Sequence, residues 1–345
     1  MIGQYTAADL AHFLRRRELL RQADRGEITA DQACAALGIR PISGGALPVT
    51  ITKTQVASTD SPANAPTVFN TNTYQALEDL FGIPDALAVG RALLRSVLAG
   101  CQLSNDGTTP NSVIDVAAGI AMSSDQLLLM DIGAFTGSTA GIWATGTGAN
   151  KMDTSTAVAA NTWYHVYVIG GGGTATDILF STNATAPTLP STYTKQRRLG
   201  SFKTAAASTN ILAFTQTGDY FLWTASVLDI DGPANPGTNA VTRTLASVPT
   251  GVSVFPIFTA NMDASTSTTV VVLSDLSAND EVPSESAAPL GLLRSAANGL
   301  DSAFIGGGIR TNTSGQIRSR FSSSTAAATL RIATLGWIDR RGRDS

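Results

Sequence analysis

The period of the hydrophobic pattern changes once along this 345-residue chain, and the change falls at Gly100. Before it, apolar residues recur at helical spacing. After it they alternate with a period of two, which places them on one face only in extended strands. The clearest tract is Ala160–Ile169, ANTWYHVYVI, dense in aromatic and β-branched side chains. Gly170–Gly173 reads as a hairpin loop, and Asp177–Ser181 as the returning strand. Further strands are predicted at Arg198–Lys203, Ile211–Thr215, Tyr220–Ala225, Ala240–Val248, Val252–Ala260 and Thr268–Ser274. Three more follow at Leu290–Arg294, Gln316–Ser322 and Thr329–Ile338. Gly, Asn, Asp and Pro punctuate them at regular spacing, the pattern of an antiparallel β-sandwich or jelly roll. No fixed-period repeat is present, which argues against a solenoid.

The first hundred residues divide into three. Residues 1–40 read as an αα-hairpin: Thr6 and Asp9 cap the first helix, Gly26 stops it, Thr29 and Gln32 cap the second, and Gly38 ends it. Leu10, Phe13 and Leu14 lie on one face of the first helix. A hairpin this short buries too little surface to stand alone, so that face is expected to dock elsewhere as an anchor. Residues 41–70 are a Pro-, Ser- and Thr-rich linker, with room for a strand through Val49, Ile51 and Val56. Residues 71–100 regain helical spacing through Tyr74, Leu77, Leu80, Leu87, Leu94 and Leu98, and read as a helical connector. Residues 101–345 form the β body.

Charged residues make up only 14% of the chain, against about 25% for an ordinary soluble domain. Ala, Thr, Ser and Gly fill the positions where Lys and Glu usually stand. Such a neutral, hydroxyl-rich surface suits burial between subunits or contact with sugars. A net charge of −3 argues against nucleic acid as a partner. No run approaches the ~18 apolar residues of a membrane span, so membrane insertion is not expected. The start, MIGQYTAADLAHF, lacks the basic, apolar and small-residue regions of a signal peptide. Release by lysis is the expected route out of a cell.

Candidates for chemistry are few. His12 and His165 are the only histidines, and neither neighbours Cys34, Cys101 or a carboxylate cluster, so no zinc site, other metal or cofactor is expected. The two cysteines read as buried free thiols. Gly170–Gly173 lacks the following GK[ST] of a phosphate cradle, and Gly146-Thr147-Gly148 lacks the third glycine of a dinucleotide fingerprint. Asp229-Ile230-Asp231-Gly232 misses the distal Glu of a calcium loop and reads as an Asp-stabilised turn. Asp275, Asp280, Glu281 and Glu285 read as a solvated loop, and the sequons at Asn183 and Asn312 as chance matches. No catalytic residue is assigned; the chain reads as non-enzymatic.

Five tracts resemble a known group. Asn161–Tyr167 (NTWYHVY), Asp177–Ser181 (DILFS) with Ala186–Pro190 (APTLP), Arg197–Phe202 (RRLGSF) and Leu335–Asp339 (LGWID) are similar to tracts of fibre and spike virion proteins of tailed bacteriophages and phage-derived particles. The resemblance covers residues 100–345. It implies a β scaffold, homo-oligomeric and often trimeric assembly, and attachment to an envelope polysaccharide, but carries over no binding residue. Sugars stack on aromatic faces, which makes Trp143, Tyr193, Trp223 and Trp337 candidates. The arginines from Arg294 onward, Arg318 and Arg320 among them, are candidates to hold an anionic polymer; otherwise they are solvated or pair across subunits.

Two roles therefore stand at the end of the sequence reading. One is a fibre or spike on a virion surface, bound to other virion proteins through its N-terminal region and to a host polysaccharide through its body. The other is a capsid-decorating or connector protein without a host-binding role. A depolymerase spike is the enzymatic competitor.

Overall fold

The computed structural model describes residues 97–154, 157–232, 238–264, 269–295, 299–322 and 328–343. These all belong to the unit Asp60–Ser345. The expected hairpin with Leu10, Phe13 and Leu14, the linker, and the connector up to residue 96 lie outside the described residues. Among the described residues there are nineteen strands and no helix. In chain order they begin with β1 Leu98–Gly100, β2 Leu103–Asn105, β3 Val113–Val116, β4 Gly119–Met122, β5 Leu129–Ile132 and β6 Phe135–Ile142. They continue with β7 Asn150–Met152, β8 Trp163–Gly171, β9 Thr174–Ser181, β10 Lys195–Lys203, β11 Phe214–Thr217, β12 Tyr220–Gly232 and β13 Val241–Thr244. The last are β14 Phe255–Ala264, β15 Thr269–Ser274, β16 Leu293–Ser295, β17 Gly299–Gly306, β18 Gln316–Phe321 and β19 Ala328–Ile338.

Four sheets result, with orders β1-β4-β5, β10-β8-β9-β7-β6-β3-β2, β11-β12-β19-β14-β17 and β13-β18-β15-β16. Pairing is antiparallel throughout, except that β7 runs parallel to both β6 and β9. The expected all-antiparallel β body is thus a mainly antiparallel one.

Strand β8 shows why the sequence pattern was so clear. It is buried from Trp163 to Gly170 because both of its faces are covered. Val166 and Val168 join the main core, while Tyr167 and Ile169 join a smaller cluster with Leu179 and Tyr193. The turn into β9 is carried by Gly172 and Gly173, with φ of +64° and +74°. Two consecutive positive φ values are what a tight hairpin matching the strand twist requires.

The main core is tied together by rings. Trp163 on β8 meets Trp337 on β19 edge-to-face at 5.3 Å, Phe221 on β12 stacks on Trp337 at 5.1 Å, and Trp223 lies 5.1 Å from Trp337. The seven- and five-stranded sheets therefore share one apolar core. Such ring pairs add about 0.5–1.5 kcal/mol each beyond the area they bury. Gly200 on β10 permits the closest approach, since a Cβ there would stand 2.6 Å from the Phe221 ring.

Several expectations are corrected. Leu98–Gly100 is strand β1, paired with β4, and not the end of a helix. Asp229–Gly232 is not a turn but the end of β12; Asp229 accepts hydrogen bonds from the Ser247 and Thr334 hydroxyls, at 2.6 Å each, without leaving the sheet. The strand expected over Ala240–Val248 stops at Thr244. The carbonyls of Ala246 and Ser247 instead accept from the indoles of Trp163 and Trp223.

Candidate functional site

Residues of three tracts singled out in the sequence, NTWYHVY, RRLGSF and LGWID, meet in one buried polar cluster. Arg198 on β10 donates to both carboxylate oxygens of Asp339, just past β19, at 2.7 and 2.6 Å. It also donates to Ser201 Oγ at 3.1 Å, and Ser201 Oγ lies 2.8 Å from His165 Nδ1. Asp339 accepts a further bond from the Arg341 backbone N–H at 2.7 Å. The Ser201 hydroxyl, with one hydrogen and two lone pairs, can meet the needs of both Arg198 and His165 Nδ1 in either imidazole tautomer.

Electrostatics fix the charge states. Burial alone would hold Arg198 down, but Asp339 outweighs it and raises its pKa. Burial would raise Asp339, yet the charge and hydrogen bonds of Arg198 and the Arg341 N–H pull it below the ordinary carboxylate range. His165 is pushed down to about 3 by burial and then by Arg198, with Asp339 opposing. The cluster holds a serine, a histidine and an aspartate, but not in catalytic order: Asp339 orients Arg198 rather than the imidazole. A histidine so weakly basic cannot take a serine proton near neutral pH. His165, Arg198, Ser201 and Asp339 are all buried. Their arrangement braces β8, β10 and β19.

A second cluster closes off two of the aromatic candidates. Lys151 on β7, fully buried, donates to Asp177 Oδ1 and to the Ala144 carbonyl, both at 2.7 Å, and sits over the rings of Phe135 and Trp143. Burial lowers the Lys151 pKa and Asp177 opposes the shift. Trp143 is half-buried, donates to the Ile178 carbonyl at 2.9 Å and meets Tyr193 edge-on at 5.3 Å. Tyr193, Trp223 and Trp337 are buried. Their ring faces are spent on packing, so none of these three offers the open stacking platform considered from sequence.

The arginines of the C-terminal part are engaged within the chain. Arg318 donates to the carbonyls of Leu276, Ala278 and Asn279 at 2.8–3.1 Å, and Arg320 to Asp280 at 2.6 Å. Together they clamp the 275–280 loop onto β18. Arg294 pairs with Glu285, Arg310 with Asp275 and Arg331 with Asp231. Arg340, Arg341 and Arg343 converge on Asp219. The pairing lies within one chain, where the sequence reading has these arginines solvated or paired across subunits. The carboxylates of the expected solvated loop serve as its partners.

Two clefts open to solvent bear on ligand binding. One, of about 370 Å³, is bordered by Ser104, Asp106, Asp115, Phe135 and Thr136. Register sets Ser104, Asp115 and Thr136 in one row across β2, β3 and β6. Asp106 is held below its ordinary pKa by Thr109 and Thr108, whereas burial and then the Asp106 charge raise Asp115. Hydroxyls and carboxylate oxygens at one opening can accept and donate hydrogen bonds to a polyhydroxylated ligand. The other cleft, of about 190 Å³, lies beside Arg318 and Glu281. Among the described residues no three His, Cys, Asp or Glu side chains gather as a metal-ligand set. The buried Cys101 thiol is pushed up to about 11, chiefly by burial, and is unsuited to act as a thiolate.

No family model, no curated protein and no solved structure matches this chain. The functional reading therefore rests on its own residues. Sequence reasoning missed the Arg198–Asp339 and Lys151–Asp177 pairs; the available signal was a charge standing inside an otherwise apolar strand pattern, at Lys151, Asp177 and Arg198. It also missed the cleft, whose residues meet only through strand register.

Proposed function

We propose that this chain is a virion structural protein, a fibre or spike of a tailed phage or phage-derived particle, that attaches the particle to a host surface polysaccharide. The observation that carries the reading is the convergence of the resembling tracts: NTWYHVY, RRLGSF and LGWID meet through Trp163–Trp337, His165–Ser201 and Arg198–Asp339. Packing and buried pairing between these tracts support a scaffold role for them, and the chain is read as non-enzymatic. The finer architecture belongs to the same proposal: a jelly-roll-like sandwich, supported by the ring contacts between two of the sheets. So do assembly as a homotrimer and anchorage to other virion proteins through Leu10, Phe13 and Leu14. The Ser104–Asp115–Thr136 cleft supports a hydroxylated, uncharged sugar as ligand, because its acceptors are acidic and the arginines on β18 are already engaged.

The test is binding of the purified full-length chain to intact host cells and to their isolated capsular polysaccharide. Saturable binding that the free polysaccharide competes away is the expected result. Particles that carry the protein, together with no binding to cells or polysaccharide, would reject attachment in favour of a capsid-decorating or connector role. Release of reducing sugar from the polysaccharide would reject the non-enzymatic reading.

A further inference from the structure

The seven-stranded sheet has a narrow middle. Its order makes the three-residue β7 the link between a β10-β8-β9 half and a β6-β3-β2 half. Strand β7 meets β6 at two registered pairs, Ser138–Asn150 and Ile142–Met152, and β9 at one, Met152–Phe180. The buried pair of Lys151 on β7 and Asp177 on β9 spans this joint.

The two side chains are placed as reactants as well as ions. Lys151 Nζ lies 2.7 Å from Asp177 Oδ1, with the lysine side chain wholly buried and the aspartate 2% exposed. A contact of that length holds the nitrogen close to the near-attack range of roughly 3–3.5 Å from the carboxyl carbon. Backbone donors polarise both carboxyl oxygens: Ile178 N–H gives to Oδ1 at 2.6 Å and Gly146 N–H to Oδ2 at 2.8 Å. Among the described residues, Nζ has two acceptors, Oδ1 and the Ala144 carbonyl, for the three N–H bonds of an ammonium. The Phe135 and Trp143 rings, 5.3 and 5.4 Å away, attract the cation. Burial outweighs them and lowers the lysine pKa. Moving one proton from Nζ to Oδ1 turns two buried charges into a neutral amine and a neutral acid, the direction that burial favours.

We propose that Lys151 and Asp177 join as an intramolecular amide. Proton transfer from Nζ to Oδ1 frees the nitrogen lone pair, which attacks Cγ. The negative charge that develops on Oδ2 is received by the Gly146 N–H, as by a donor in an oxyanion hole. A second nitrogen proton passes to the Oδ1 hydroxyl, the Cγ–Oδ1 bond breaks, and Oδ1 leaves as water. One ammonium and one carboxylate thus give one amide and one water, with no oxidant, reductant or further reactant. Fixing the partners in place replaces a bimolecular encounter, an advantage that reaches roughly 10⁵–10⁸ M in well-oriented systems. Arg198 and Asp339 cannot follow this course, because a guanidinium does not give up its proton. The amide ties β7 to β9 beside their single registered pair and closes a loop across 26 positions of chain. It is independent of host attachment.

The experiment is intact-mass measurement on the full-length chain, denatured after incubation in the folded state at neutral pH, for wild type and Lys151→Arg. The arginine keeps a cation beside Asp177 and removes the nucleophile. Wild type is expected below its sequence mass by one water, and the variant at its full sequence mass. Asp106-Gly107 and Asp231-Gly232 can also lose water by closing to succinimides, so the position of the loss is read by digestion. Cutting the denatured chain between residues 151 and 177 should leave the two fragments joined in wild type and separate in Lys151→Arg. Wild type at its full sequence mass, or wild-type fragments that separate in denaturant, overturns the inference however well the variant folds. Cell binding is read apart from these masses and bears on attachment alone.

Discussion

Arg198 and Asp339 hold each other across 141 positions of chain through two hydrogen bonds, and both side chains are buried. Their pairing locks β10, an edge strand of the seven-stranded sheet, to the end of the last strand. Removing one partner leaves the other as an uncompensated buried charge, which costs about 3–5 kcal/mol. Arg198→Met should therefore lower stability by that order in denaturant titration. Arg198→Met/Asp339→Leu should recover a large part of the loss. A double variant as unstable as the sum of its singles would mean that the two residues act independently.

His165 gives the fold an acid sensitivity with a defined window. In the folded chain its pKa is about 3, because burial and then Arg198 disfavour the cation, while Asp339 opposes. Unfolded, the imidazole titrates near 6.5. As pH falls below 6.5 the unfolded state takes up a proton that the folded state refuses, so stability falls, by up to about 1.4 kcal/mol per pH unit. Asp339, whose folded pKa is lowered, adds a loss only below the ordinary carboxylate range, near pH 4. Melting temperature between pH 6.5 and 4.5 should drop for wild type and stay flatter for His165→Gln. Parallel slopes would remove His165 as the cause.

The elements legible in the sequence are those with a sustained strand signal, a continuous aromatic and β-branched run in β8 and alternation in β18 and β19. Strand β8 and its glycine turn fall where expected, and β10, β15, β18 and β19 lie within a few residues of expectation. Strands β1 to β5 and β7 were missed because three or four residues cannot establish a period, and β6 because its sequence, FTGSTAGI, is mostly small and polar. Strand β17 was missed because Asp301 and Ser302 interrupt its alternation. Asp229 and Asp231 read as turn residues because carboxylates favour turns. Neighbouring strands supply Thr334 and Arg331 as partners, and that information is not local. The same limit hid the cleft and the arginine clamps, both made by register between distant segments.

The turn between β8 and β9 separates two costs of adding a methyl group. Gly172 and Gly173 both have positive φ, and that region costs a side chain about 1–2 kcal/mol at either position. A Cβ on Gly172 would also stand 2.0 Å from the Thr192 carbonyl oxygen, whereas one on Gly173 meets nothing within 4 Å. Gly172→Ala should therefore destabilise clearly more than Gly173→Ala, by an added overpacking cost of about 1–3 kcal/mol. Equal losses in thermal melts would mean that the 192 loop yields freely.

Arg318 and Arg320 allow the surface reading of the arginines to be tested directly. Arg318 donates to the Leu276, Ala278 and Asn279 carbonyls, and Arg320 donates to Asp280. An arginine engaged in this way has little capacity left for an anionic polymer. Arg318→Ala/Arg320→Ala should release the 275–280 loop, seen as faster amide hydrogen exchange at residues 276–280. The stability loss should be on the order of 1–3 kcal/mol, the scale of hydrogen bonds from charged groups. Cell attachment should respond differently. The Debye length falls from ~10 Å at 0.1 M salt to ~3 Å at 1 M, so contacts made by exposed arginines would weaken steeply over that range. Attachment through hydroxyls and acceptors of an uncharged sugar would not. Wild type and the double variant should therefore share one shallow salt dependence. A steep wild-type dependence that the double substitution flattens would return these two arginines to the binding surface and displace the Ser104–Asp115–Thr136 cleft as the proposed sugar site.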